Sequence, residues 1–144
     1  MKNNIYLILS IIVFLVSLLL PVYWEYSNFF DHYNESVSYE HWGVFYLSMG
    51  WLTIIESPAD FICWLANFTL IFSWLFYKKS FSKTLSIITT VLMILYFINY
   101  IFQADIIQFY QISDTLFGYW FWLISSIFMI IYHFKYKSEN FEEQ

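Results

Sequence analysis

The sequence predicts an all-α integral membrane protein: four transmembrane helices plus a short re-entrant or interfacial helix on the outer side. Three observations predict it. Charged residues make up 12% of the chain, whereas a soluble domain carries about 25%. Hydrophobic residues make up 60% and fall in runs of about 20, the length of helix that crosses about 30 Å of hydrocarbon. All six lysines fall on one side of the map those runs define. A chain of 144 residues has room for a single domain.

The first run, residues 5–24, starts after Lys2 and ends in Pro21, Val22, Tyr23 and Trp24. It has no small-x-small cleavage site and is long for a signal h-region, so it is expected to stay as an anchor. Residues 25–57 form the expected extracytoplasmic loop. Its first part, from Glu25 to Trp42, is acidic and aromatic. Its second part, Gly43 to Ile55, is apolar but only about 13 residues long, too short for an ordinary span. That segment is read as the re-entrant or interfacial helix. Ser57, Pro58 and Asp60 form a helix start: Ser57 to cap, Pro58 at the first helical position, and Asp60 where a capping-box acid belongs.

The second span is expected over 58–77, the third over 84–103 and the fourth over 117–134, with a tail at 135–144. The loop between the third and fourth carries Asp105 and Asp114 among apolar residues and is expected along the interface. Lys2, Lys78, Lys79, Lys83, Lys135 and Lys137 then share one side, which the positive-inside rule makes cytoplasmic. Both termini are therefore expected in the cytoplasm. The absence of arginine beside abundant Lys, Asn, Ile, Phe and Tyr fits an AT-rich bacterial genome, and hence the inner membrane. Trp24, Trp42, Trp51 and Trp120 are expected at the outer boundary, Trp74 and Tyr77 at the inner one.

The net charge of −5 provides no basic stripe for phosphates, so no nucleic-acid partner is expected. No Asp, Glu, Lys or His lies in the middle of a span, where a proton relay or ion-coupled transporter would need one. Cys63 has no histidine at helical spacing, which leaves a small packing residue rather than an activated thiol. His133, beside Lys135, is expected at the headgroups. Asp31, His32, Glu35, Glu40 and His41 offer nitrogen and oxygen ligands, but a solvated acidic loop is the plainer reading, and no metal site is assigned. No catalytic motif is present, no cofactor is expected, and the chain is read as non-enzymatic.

Two groups of residues remain as candidates. Asn67, Thr90, Asn99 and Ser125 are polar groups within spans, expected to hydrogen-bond between helices. By depth, Asn67 and Ser125 or Ser126 lie near the midplane, close enough in depth that they could pair. On the outer face, Trp24, Phe30, Asp31, Glu35, Glu40 and Trp42 interleave aromatic anchors with carboxylates. That combination suits a cationic, partly apolar partner such as a basic peptide, or a membrane protein, besides the lipid bilayer itself.

Three short stretches, GWL at Gly50–Leu52, WLAN at Trp64–Asn67 and GYWFWLIS at Gly118–Ser125, resemble motifs of uncharacterised small bacterial four-span membrane proteins. In that group a proline tends to follow the Asn, where Phe68 stands here. The resemblance implies a multi-span fold and carries no activity. The leading expectation is a protein that binds a partner in the membrane or at its outer face, for instance one conferring immunity to a membrane-active toxin, to which its size and layout are similar. The alternative is a small channel or transporter subunit acting as an oligomer, with Asn67, Thr90 and Ser125 lining a path.

Overall fold

A computed structural model describes residues 4–27, 37–56, 58–103 and 117–142. Helix α1 runs over Asn4–Leu18. Strands β1 (Pro21–Ser27) and β2 (Val37–Trp42) follow, then α2 (Gly43–Met49), a 3₁₀ turn (Gly50–Leu52) and α3 (Thr53–Glu56). Next come α4 (Pro58–Trp64), α5 (Ala66–Leu75), α6 (Ser80–Gln103) and α7 (Phe117–Glu142). The described residues are predominantly helical, as expected, with one antiparallel hairpin.

That hairpin corrects the expected first span. The helix stops at Leu18, short of Trp24, and the backbone turns through bonds from Leu19 N to the Val16 carbonyl (3.0 Å) and Leu20 N to the Ser17 carbonyl (3.3 Å). Pro21 has no N–H and pushes the residue before it out of helical geometry. Val22, Tyr23, Trp24 and Tyr26 beyond it are strand-forming types. The register pairs Pro21 with Trp42, Trp24 with Glu40 and Ser27 with Val37, with an irregularity between Pro21 and Tyr23. Among the described residues, the expected loop 25–57 thus holds the end of β1, the whole of β2 and a helical segment. The expected short apolar helical segment at Gly43–Ile55 is present, divided by a 3₁₀ turn at Gly50–Leu52.

The other expected spans shift less. The second, 58–77, is two helices joined at Leu65, ending at Leu75. Helical backbone continues through the joint, from Leu65 N to the Phe61 carbonyl (3.2 Å) and Thr69 N to the Leu65 carbonyl (3.0 Å). The third lies inside α6. The fourth lies inside α7, which carries on through the expected tail as far as Glu142. Ser57 and the loop with Asp105 and Asp114 lie outside the described residues, as does the side chain of Asp60. Among the described residues, two helices are long and apolar enough to cross a membrane, in the stretches Ser80–Ile98 and Phe117–Lys135. Asn4–Leu18, Gly43–Ile55 and Phe61–Leu75 are apolar and shorter.

Helices α1 and α7 pack antiparallel: Ser10 meets Ser125, and Tyr6 near the start of α1 meets Lys135 toward the far end of α7. Helix α6 packs against both α5 and α7. Polarity is distributed inside-out relative to a soluble protein. Ser10, Ser73, Ser82, Ser86, Thr89, Ser125 and Ser126 are fully buried, around a small core of Phe14, Ala66, Leu70, Met93, Met129 and Tyr132. Ile5, Ile8, Ile12 and Leu15 along α1, and Ile87, Val91, Ile94 and Ile98 along α6, are exposed.

Candidate functional site

The two ends of the bundle differ in chemistry. At one end Lys135 Nζ donates to the Tyr6 hydroxyl at 2.6 Å and Lys83 Nζ lies 4.2 Å from the ring centre of Phe134. Lys78 and Lys79 sit in the α5–α6 turn beside them. At the other end the hairpin, the outer helix and the start of α7 come together, and between them lies a cavity of about 40 Å³. By volume it has room for a small group or a few waters.

Glycines set the walls around this cavity. A Cβ at Gly118 would lie 2.7 Å from the Pro21 carbonyl oxygen and 2.9 Å from that of Leu20, so only glycine lets α7 begin directly beneath the strand. A Cβ at Gly50 would lie 2.6 Å from the indole nitrogen of Trp64. The ring of Trp64 is held there by a 3.2 Å bond from its N–H to the Leu47 carbonyl, by stacking on Phe61 and by an edge contact with Phe68. Each of the three motif stretches therefore meets at this end of the bundle: Gly50 against Trp64, and Gly118 against the base of the hairpin.

The lining is aromatic. Tyr46 comes from α2, Trp64 from α4, Tyr96 from α6, and Tyr119 and Trp122 from α7, with Asn67 of α5 beside them. Tyr96 donates to the Tyr46 hydroxyl at 3.2 Å, and the buried Tyr119 donates to the Met93 carbonyl at 2.8 Å. Trp122 meets Tyr119 and Tyr96 edge to face, with ring centres 6.0 and 6.4 Å apart. Asn67 Nδ2 donates to the Trp64 carbonyl at 2.9 Å, and its oxygen accepts no hydrogen bond among the described residues.

This arrangement corrects the pairing that depth alone allowed between Asn67 and Ser125 or Ser126. Ser126 instead accepts from Thr90 at 2.9 Å, while the Ser125 carbonyl accepts from Ser10 at 2.7 Å. Helical rotation decides this: similar depth brings two residues together only when both face the same neighbour. Thr69 and Thr89 form a further cross-helix pair at 2.7 Å. The side chain of Asn99 lies outside the described residues.

Two residues expected at the inner boundary make contacts inside the bundle. The Trp74 N–H donates to Ser10 at 2.9 Å, and its ring packs T-shaped with that of Phe14, ring centres 5.2 Å apart. His133 is buried between helices at the lysine-bearing end, with Nε2 2.9 Å from Ser82 Oγ. Cys63 is buried, as a packing residue would be.

Of the expected outer-face residues, Trp42 is exposed at the end of β2, and Trp24 stands opposite Glu40 in the hairpin register. The side chains of Trp24 and Glu40 lie outside the described residues, as do Phe30, Asp31 and Glu35 entirely. Among the weighed metal ligands, Asp31, His32 and Glu35 lie outside the described residues, and so do the side chains of Glu40 and His41. The cavity itself was missed by sequence reasoning. The only signals for it were the positions of Gly50 and Gly118 and the density of rings, neither of which specifies a meeting point. No protein-family model matches the chain, and no curated protein or solved structure matches it.

Proposed function

We propose that the chain is a non-enzymatic, four-span protein of the bacterial inner membrane, with both termini in the cytoplasm, which works by binding a partner at its outer end. Lipid as the solvent accounts for a surface of Ile and Leu around an interior of Ser and Thr: without a hydrophobic force between helices, small and hydroxylated residues make the contacts. The shorter helices still suffice. The 58–75 segment rises about 27 Å, and α1 rises about 22 Å before the turn at 19–20, after which the strand residues 21 and 22 add about 3.3 Å each. Lys78, Lys79, Lys83 and Lys135 at one end favour that end as cytoplasmic.

The observation that carries the binding role is the aromatic cavity beneath the hairpin, at the end remote from the lysines. The segment that builds the hairpin and outer helix, residues 21–60, holds Glu25, Asp31, Glu35, Glu40, Glu56 and Asp60 and no lysine. A cationic partner is steered to such a surface by charge. Immunity to a membrane-active toxin is the concrete form of this reading. The channel-subunit alternative finds less support, because Thr90 and Ser125 direct their hydroxyls to partners within the bundle.

The test is deletion of the gene followed by challenge with a cationic membrane-active toxin encoded nearby. Sensitivity should rise, and a Glu35→Lys, Glu40→Lys double variant should fail to restore protection. Unchanged sensitivity after deletion would remove the immunity reading.

A further inference from the structure

We propose that the cavity beneath the hairpin is a receptor for a primary ammonium group, the terminus of a lysine-type side chain on the cationic partner; this deepens the reading above and rests on it. Four observations converge. Tyr46, Trp64, Tyr96, Tyr119 and Trp122 surround the space, and aromatic faces attract a cation through their quadrupoles, most strongly where water is excluded. Among the described residues the lining contains no charged side chain, so no fixed cation repels an incoming one. Asn67 spends its amide N–H on the Trp64 carbonyl, which leaves its oxygen as an acceptor for an ammonium N–H. The volume of about 40 Å³ suits a methylene-ammonium end.

Charge outside the cavity points the same way. Between Lys2 and Lys78 the sequence contains no lysine and six carboxylates, and a segment of that net charge draws cations and repels anions. An anionic occupant would face that charge with no basic group among the described lining residues, whose one unpartnered buried donor is the Trp122 N–H. A purely apolar occupant would gain nothing from it.

The experiment uses the full chain, labelled with fluorotryptophan, in nanodiscs of zwitterionic lipid. The seven tryptophans give separate fluorine resonances, assigned by single Trp→Phe variants. The probes are n-butylammonium chloride and its neutral counterpart 1-butanol. Butylammonium should shift the Trp64 and Trp122 resonances saturably and leave Trp51 unmoved. Tyr96→Leu should weaken that response at least about tenfold, the scale of a desolvated cation–ring contact. The Trp51 and Trp120 resonances report whether this variant is folded, and Tyr46→Leu serves as the second variant. An equal response to 1-butanol, a response that never saturates, or undiminished affinity in the folded variants would each overturn the proposal. If butylammonium fails here while Glu35→Lys, Glu40→Lys still abolishes protection, the cavity inference falls and the partner-binding reading stands. The converse pattern removes that reading and leaves the cavity site.

Discussion

His133 Nε2 lies 2.9 Å from the hydroxyl of Ser82, and the direction of that bond is determined. Ser82 has one proton, which it donates to the Ser73 carbonyl at 2.7 Å. The histidine is therefore the donor, and its ring carries hydrogen on Nε2. One bond chain thus ties the end of α5 to the starts of α6 and of the lysine-bearing part of α7.

Ser82→Ala should leave a buried N–H without an acceptor and lower stability by about 1–3 kcal/mol. Denaturant unfolding in detergent measures it, and nitrogen NMR of labelled His133 should report the Nε2–H form. An unchanged midpoint in Ser82→Ala would show that the bond contributes nothing.

Ser10 links three helices, donating to the Ser125 carbonyl while accepting from Trp74. Ser10→Ala should cost about 0.6–1.7 kcal/mol per lost bond, the range for hydrogen bonds between membrane helices. Trp74→Phe removes the stranded donor, so the double variant should lose less than the sum of the two singles. Strict additivity in a double-mutant cycle would show that the two groups are not coupled.

Gly50→Ala should destabilise by about 1–3 kcal/mol through overpacking against Trp64. Combining it with Trp64→Ala, which removes the obstructing ring, should suppress that increment. Gly118→Ala should have no such remedy, because its obstruction is the Leu20 and Pro21 backbone. Thermal unfolding of the four variants separates these outcomes.

Topology gives the most direct check on the membrane assignment. In a Cys63→Ala background, a cysteine at Lys79 should react with an impermeant maleimide only after the cell envelope is opened. A cysteine at Trp42 should react in intact spheroplasts. Labelling in the reverse order would invert the assigned orientation.

Helix content and approximate helix positions were legible from composition and run length alone. Residues 84–103 and 117–134 both fall within long apolar helices, because a segment apolar all round has no competing arrangement that satisfies its backbone. Local chemistry also located Pro58 at a helix start and Gly43 to Ile55 as a separate short helical segment. The hairpin was not legible. Val22, Tyr23, Trp24 and Tyr26 are apolar enough to extend a helix, and only their pairing with residues 38–42 makes a strand the better way to satisfy that backbone.

The candidate site divides the same way. The sequence by itself determined which residues are present: three glycines, a dense set of rings, and carboxylates without lysines over one end. Tertiary structure alone decided that Gly50 lies against Trp64, that Gly118 lies under Pro21, and that Asn67 turns to the Trp64 carbonyl rather than to Ser125. The reason is that the apolar character of a helix depends on each residue's own polarity and can be read along the chain. A contact between helices depends on their relative rotation and closest approach, which are determined jointly by side chains far apart in sequence.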